Sequence, residues 1–597
     1  MEDLSYSQIE ELLNKFDFSN YSDLNVSILR NIMVEPIEPY LRYYAYQSGL
    51  NAKIRFGEYG NIFQEAVGGR DDLFNKDTDC VIIFMYLENF SWDFARNFNS
   101  LAADQIRIEK DRIKDHIQSI LNGLRGQTDA IILWLGFELP SYPSLGIWDS
   151  QIDSGQLSTV KEINEYLRET IKNTTNAYFV DTSLCVYRIG SINFYDLRYW
   201  HIGRAPYTRK ALKEIAFEVY KFIRPLIGKN KKCLVLDCDN TLWGGIIGED
   251  GIAGINLSKT YPGSAYYEFQ QEIVNLYHRG IIIALCSKNN QDDVWEVFEK
   301  HPDMVLKRDH IAKALINWQD KATNLRQIAL DLNIGLDSLV FVDDSDFEVN
   351  LIRQEFPSVE VIHLPKGQAI EYRKILASYG LFDTLTVTTE DKKRGALYNA
   401  EEERKKLRAE TTDLVSYYRS LEMELEISFA DEFSIPRIAQ QTQRTNQFNL
   451  TTRRYNEADI KHFIDDSDAD VLYLRLRDKV GDSGIVGTCI LKYNNNKSIF
   501  DTFLLSCRVL GRGAEDAFII QALKLAKKRN CKLAVGEYYA TKKNSQVEDF
   551  YTKQGFKEMN AENEKADRVF YFELGNELQA EPSYFKEIRS EIQKIGE

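Results

Sequence analysis

The chain has 597 residues, 44% of them hydrophobic, with 74 Lys plus Arg against 90 Asp plus Glu and a net charge of −16. That length exceeds one hydrophobic core and predicts three or four domains, while the apolar content excludes a disordered chain. The acidic balance, with no long basic run, excludes a general binder of nucleic-acid phosphates, whose affinity comes from clustered cations that release counterions.

The opening stretch, MEDLSYSQIEELLNKF, is acidic and amphipathic and lacks the pattern of a signal peptide. From there to residue 225, helical stretches alternate with the short apolar runs AKIRF, CVIIFMYL, AIILWLGF and NAYFVDTS. This rhythm predicts a parallel sheet covered on both faces. The apolar runs are too short to cross a bilayer and read as buried strands, so no membrane span is expected. A second α/β rhythm, over 226–385, begins at KKCLVLDCDNT and continues through GIIIALCSKN, SLVFVDDSD and VEVIHLP. The charged residues 386–422 read as a solvated helical linker. Residues 423–575 mix strands with helices as a third domain, and 576–597 read as a polar helical tail. The predicted class is therefore α/β and multidomain. Eight cysteines, scattered without CxxC pairs, predict reduced thiols in a cytoplasmic protein.

The chemistry concentrates in LVLDCDNTLWGG, where an apolar strand delivers Asp237 to its carboxyl end, the place where open α/β sheets bind ligands. Three further elements follow in order: Ser287 after a second strand, Lys321 at a helix start, and Asp343 with Asp344 after a third strand. A carboxylate attacks phosphorus only when its own charge and that of the phosphate are offset, which a hard cation held by oxygens achieves. Asp237 is thus the candidate nucleophile and a Mg2+ ligand, with Asp344 the second side-chain ligand. Asp239 offers its carbonyl to the metal and its side chain as general acid, then base. Thr241 and Ser287 are placed to hydrogen-bond phosphoryl oxygens, and Lys321 to neutralise developing charge. Asp343 is expected in an outer or water-mediated role at the metal. A calcium-binding acidic loop would leave Ser287 and Lys321 without a role. Only 46 residues separate Thr241 from Ser287, and 34 separate Ser287 from Lys321. Neither interval holds a lid domain, so the site is expected to be capless, with WGGIIGEDG as a short flap.

The run LDCDNTLWGGIIGEDGI, then CSKNN, HPDMVL, INWQDKATNL and FVDDS, resembles the FkbH-like branch of the haloacid dehalogenase (HAD) superfamily, subfamily IIIC, with its Rossmann-like core. The resemblance continues through TNQFNLTTRRY, VGDSGIVG and LLSCRVLGRGAEDAF, covering most of 190–560. It implies a cytoplasmic enzyme that dephosphorylates a phosphorylated three-carbon acid of the 1,3-bisphosphoglycerate type and loads the acyl group onto an acyl carrier protein. Cys286 and Cys238, beside the catalytic positions, are candidates for a thiol that carries the acyl group; the competing expectation is that both pack in the core.

In the third domain, LSCRVLGRGAEDAFIIQALKLAKK resembles the acyl-CoA loop of GNAT-type N-acetyltransferases, an α+β fold, with Arg508, Gly511, Gly513 and Ala514 matching R-x-x-G-x-G/A. Glycines there let backbone N–H groups face a pyrophosphate at a helix start. By the same resemblance Asn544 is a cofactor contact and Tyr551 the acid for a leaving thiolate; acyl-CoA or a carrier's phosphopantetheine is the ligand implied. The first domain resembles SGNH-hydrolase-like α/β domains in rhythm. It has no serine in RFGEYGN, where that family carries its nucleophile, and it spaces Asp196 and His201 as DxxxxH. It is expected to be non-catalytic, a docking or substrate-presenting platform. Alternatives to acyl loading are a phosphatase of a sugar phosphate or related metabolite fused to an acyltransferase in surface polysaccharide synthesis, and an inactive scaffold that binds carrier proteins.

Overall fold

A computed structural model describes residues 4–594 apart from 389–390, 392–396, 398–399, 401–403, 405–406, 409–410, 412, 507–508, 542 and 560–565. The chain divides into two compact units, Met1–Arg224 and Pro225–Glu597. Part of the expected linker helix lies outside the described residues, and Leu414–Ser420 near its end is helical. Among the described residues, no helix is long and apolar enough to cross a membrane.

The first unit is built on five strands, β1 (Ser22–Arg30), β2 (Leu50–Phe56), β3 (Cys80–Phe84), β4 (Ile131–Leu135) and β5 (Ala177–Val180). They run parallel in the order β2-β1-β3-β4-β5. The crossover helix Ala103–Arg125 buries Ile113, Ile117, Ile120, Leu121 and Leu124, a helical spacing that puts one apolar stripe on the core. The sequence rhythm omitted β1, which pairs with both β2 and β3. Its first half is polar, with Ser22 and Asp23 exposed, and only its second half is continuously buried. RFGEYGN begins within β2, whose last residues are Arg55 and Phe56, whereas β1 ends at Arg30 and is followed by Asn31.

The second unit begins with another parallel sheet, β6 (Cys233–Leu236), β7 (Ile282–Ser287), β8 (Ile311–Ile316), β9 (Leu339–Asp343) and β10 (Glu360–His363). Its order is β10-β9-β6-β7-β8. Leu234, Leu236, Ile283, Leu285, Val340 and Val342 pack on one face. Cys233, Val235, Ile282, Ala284, Cys286 and Phe341 pack on the other. Because both faces are covered, period-two alternation disappears into continuous apolar runs.

The chain continues into a mixed sheet: β11 (Glu424–Phe429), β12 (Phe448–Asn449), β13 (Ala469–Asp478), β14 (Gly481–Asn494), β15 (Lys497–Leu505), β16 (Leu533–Tyr538), β17 (Lys557–Met559), β18 (Arg568–Glu573) and β19 (Glu587–Ser590). The strands lie in the order β17-β18-β16-β15-β14-β13-β11-β19. β15 and β16 pair in parallel over Lys497–Phe500 and then part. β12 fills the gap, pairing with Leu504 and Leu505. Leu450 just beyond it donates its N–H to Phe503 O at 3.2 Å and accepts from Tyr539 N at 2.9 Å. The tail expected as a helix instead contributes β19, paired in parallel with β11. An open sheet edge offers main-chain hydrogen bonds that outweigh the weak helix preference of KEIRSEIQ.

Candidate active site

β6 lies between β9 and β7, where the strand order reverses direction. Asp237, the residue after β6, is therefore flanked by Ser287 at the end of β7 and by Asp343 and Asp344 at the end of β9. Lys321 is the first residue of the helix Lys321–Asp331, whose start is fixed by Asp320 accepting Thr323 N–H at 2.7 Å.

Ser287 Oγ donates to Asp237 Oδ1 at 2.8 Å. Lys321 Nζ stands 2.8 Å from that same Oδ1 and 2.6 Å from Asp343 Oδ2. Asp343 Oδ1 in turn accepts Ser345 N–H at 2.9 Å. Asp237, Asp343 and Asp344 bring carboxylate oxygens within 4.8 Å of one another, and none of the three is more than 9% exposed. Burial, reinforced by the charge of Asp237, pushes the Asp343 carboxyl up to about 7 and raises that of Asp344. Burial opposes the charge of Lys321, but Asp237 and Asp343 outweigh it and hold the ammonium well above its usual range.

Two side chains that the sequence reading left without a role complete the site. Asn289 Nδ2 donates to Asp239 Oδ2 at 3.0 Å and to Ser287 Oγ at 3.1 Å. Trp243 Nε1 donates to Asp239 Oδ1 at 2.9 Å, joined there by Ile247 N at 3.1 Å. The turn that returns Trp243 to Asp239 passes through Asn240 at φ 54°, whose Oδ1 accepts Gly245 N–H at 3.0 Å. Burial is the main cause that raises the Asp239 carboxyl, so the group tends to hold a proton, as a general acid must. Thr241 is fully buried, and its Oγ1 has no partner.

These residues fit a hard divalent cation. Three buried carboxylates converge on one spot, two of them raised toward neutrality by burial and by the charge of Asp237, and oxygen donors of this kind suit Mg2+. The orphaned Thr241 hydroxyl and the Lys321 ammonium remain for an oxyanion beside it.

Cys238 and Cys286 are both fully buried, on opposite faces of the sheet. Burial raises both thiols far above the range in which a thiolate forms.

In the following sheet, Gly511 (φ 73°) and Gly513 (φ 72°) form the left-handed turn before the helix Ala514–Lys528, and Ala514 is buried. Arg508 lies outside the described residues. Burial pushes the Glu515 carboxyl beside the turn up to about 7, against the lowering influence of backbone N–H groups nearby. The Tyr584 hydroxyl fills the space above Gly513, 1.7 Å from where a Cβ would stand. Asn544 Nδ2 holds Asn449 O at 3.0 Å and Tyr539 O at 2.9 Å, fastening β12 into its gap. The Tyr551 ring lies over Gly536 with its hydroxyl buried and unpartnered. β12 and the Tyr551 ring occupy the opening between β15 and β16, while a cavity of about 520 Å3 lined by Gly511, Glu515, Asp516 and Phe550 adjoins the turn.

In the first unit, Asp196 Oδ1 accepts Tyr199 N–H at 3.0 Å as a helix cap, and His201 is exposed. The ends of β3 and β4 open into a cavity of about 420 Å3 lined by Tyr86, Glu138, Tyr195 and Trp200 among others.

No protein-family model matches the chain, and neither does any curated protein. Among solved structures, it is similar to the N-terminal part of the protein BF1531 from Bacteroides fragilis, which contains a phosphatase domain and was crystallised with Mg. That likeness has 27% identity over 64% of this chain and 100% of that one, with a TM-score of 0.57. Two acetyltransferases are similar over a smaller part: one of the GNAT family from Staphylococcus aureus (14% identity, 25% of this chain and 99% of that one, TM-score 0.21), and the ribosomal-protein-S18-alanine N-acetyltransferase from Escherichia coli (14%, 27% and 99%, TM-score 0.20).

Proposed function

We propose that the second unit is a Mg2+-dependent phosphatase that works through a covalent aspartyl phosphate on Asp237. The observation that carries this reading is Asp237 Oδ1 held at 2.8 Å by both Ser287 Oγ and Lys321 Nζ, beside two further buried carboxylates. Asp237, Asp344 and the Asp239 carbonyl would hold the cation, with Asp343 supporting it through Lys321. Mg2+, when bound, offsets the charge of nucleophile and phosphate together.

Asp237 attacks phosphorus, and the bond from phosphorus to the leaving oxygen breaks. Asp239 gives that oxygen its proton, then takes one from the water that hydrolyses the aspartyl phosphate and restores the free carboxylate. Ser287, Thr241 and Lys321 donate to the phosphoryl oxygens. Phosphate release from a panel of phosphorylated metabolites with Mg2+ tests this. Asp237→Asn should abolish release, and retained turnover would sink the mechanism.

The FkbH-like motifs support a narrower reading, in which the substrate is a phosphorylated three-carbon acid of the 1,3-bisphosphoglycerate type and the acyl group passes to a carrier protein. The burial of Cys238 and Cys286 favours the alternative, a phosphatase of a sugar phosphate or related metabolite with no acyl-enzyme thioester. Intact mass after incubation with 1,3-bisphosphoglycerate separates the two. A glyceryl-sized gain lost in Cys286→Ala supports acyl loading, and release without any adduct supports the plain phosphatase.

A further inference from the structure

The cavity of the first unit lies at the carboxyl ends of β3 and β4, the side of a parallel sheet on which ligands bind. At about 420 Å3 it has room for a small organic molecule. Tyr86 and Glu138 lie just beyond the two strands, and Tyr195 and Trp200 come from the helical stretch after β5. Aromatic rings gather around the Glu138 carboxyl. The Tyr207 hydroxyl donates to Glu138 Oε1, and the Tyr207 ring packs 6.1 Å from that of Tyr86 and 6.3 Å from that of Tyr195. Tyr86 also packs 5.3 Å from Trp200.

The polar groups on the wall divide into two sets. The first is satisfied within the protein. Glu88 takes Arg96 Nε at 2.7 Å, and Asp196 accepts Tyr199 N–H at the start of its helix. Gln156 spends both ends of its amide, Nε2 on the Ala95 carbonyl at 2.8 Å and Oε1 on Ser144 N–H at 3.1 Å. The second set keeps hydrogen-bonding capacity to spare. The half-buried Tyr86 and Tyr195 side chains make no hydrogen bond among the described residues, and burial above all holds both phenols protonated. Burial also pushes Glu138 up to about 7, so its carboxyl both accepts and donates. Trp200 is 3% exposed, and its Nε1 is buried without a partner. The spare groups are therefore hydroxyl, carboxyl and indole rather than fixed charge. The remaining wall is apolar, and part of it is uncovered: Tyr142 is 91% exposed, Ile192 88% and Leu197 66%.

We propose that this cavity binds an uncharged organic molecule, its apolar body against Leu139, Val160 and Ile192 and its hydroxyl or carbonyl oxygen hydrogen-bonded by Tyr86, Tyr195 and Glu138. An anion is disfavoured beside Glu88, Glu138 and Asp196, which separates this ligand from any phosphorylated molecule reacting at Asp237.

Calorimetry on the full-length protein tests the site with probes that share one body and differ at the head: phenylbutanol, phenylbutyramide, phenylbutyrate, phenylbutylamine and butylbenzene. The alcohol and the amide should bind at least about tenfold tighter than the charged probes, which lose hydration without gaining a counter-charge. Changing Tyr86→Phe and Tyr195→Phe together removes two hydroxyls without breaking a hydrogen bond inside the protein. That variant should weaken the alcohol and the amide about tenfold and leave butylbenzene unchanged. If it fails to fold, Ile192→Asp carries the test from an exposed position and should weaken every uncharged probe. Wild-type protein that binds none of the probes or prefers a charged one, or folded variants that bind as the wild type does, would overturn the proposal.

Discussion

Replacing Lys321 by Met isolates the electrostatic logic of the phosphatase site. The ammonium is 4% exposed and lies 2.8 Å from Asp237 and 2.6 Å from Asp343, with Asp344 within the same cluster. Methionine keeps the length of the side chain and removes its charge, leaving three buried carboxylates facing one another. Breaking one partner out of a buried ion pair costs about 3–5 kcal/mol. At roughly 2–4 °C per kcal/mol for a domain of ordinary size, the metal-free variant should melt roughly 6–20 °C below the wild type. Protonation of Asp343 offers relief, because burial and Asp237 already push its carboxyl to about 7. The deficit should therefore be larger at pH 8 than at pH 6, and Mg2+ should recover part of it by restoring positive charge. Phosphate release should fall by about two to three orders of magnitude even with Mg2+, since the cation that neutralises the transferring group is gone. Scanning fluorimetry at the two pH values, with and without Mg2+, and turnover on the best substrate check all three. A variant that melts like the wild type without metal at pH 8 would refute the view that the three carboxylates depend on Lys321.

Asn289→Ala should lower kcat roughly tenfold with little change in KM, through loss of the hydrogen bonds that hold Asp239 and Ser287, and steady-state kinetics would show it. Glu138 in the first unit, pushed up to about 7 by burial against an ordinary value near 4.5, keeps its proton further up the pH scale when folded than when unfolded. Its contribution is intact below pH 4.5 and lost as pH rises through 7, on the order of 3 kcal/mol. Glu138→Gln should flatten that slope and raise the melting temperature at pH 8, as read from paired melting curves of variant and wild type. Gly536→Ala drives a methyl to within 2.4 Å of the Tyr551 ring and should destabilise the second unit by about 1–3 kcal/mol, measured by thermal unfolding.

What could be read in advance divides along physical lines. The strands β3, β4, β7 and β9 announce themselves because helices cover both faces, so each is a continuous apolar run in the sequence. β1 is no less central, but polar residues fill its first half, and only its pairing with β2 and β3 shows it to be a strand. Asp237, Ser287, Lys321 and the Asp343–Asp344 pair sit at strand ends or a helix start, which local pattern marks. Asn289 lies two residues beyond Ser287 in CSKNN, and nothing in that stretch separates an amide that holds the Asp239 carboxylate from an ordinary turn residue. Tyr584 and Glu515 carry the same lesson further. Glycine spacing describes the turn at Gly511–Gly513 but not what covers it, and the covering ring comes from some seventy residues downstream.

The two ends of one sheet explain why the second unit has the organisation it does. With β6 between β9 and β7, the carboxyl ends of three neighbouring strands bring Asp237, Ser287 and Asp343 together without any long-range loop. Each is then fixed by a strand whose side chains are locked in the core, which suits a reaction that needs sub-ångström placement. The amino ends of the same strands, marked by Lys232 and Ser338, carry no such convergence and are free to meet another layer. There Lys232 Nζ donates to the Arg444 carbonyl at 2.9 Å, so one end of the sheet gathers the carboxylates around Asp237 while the other holds the region that follows.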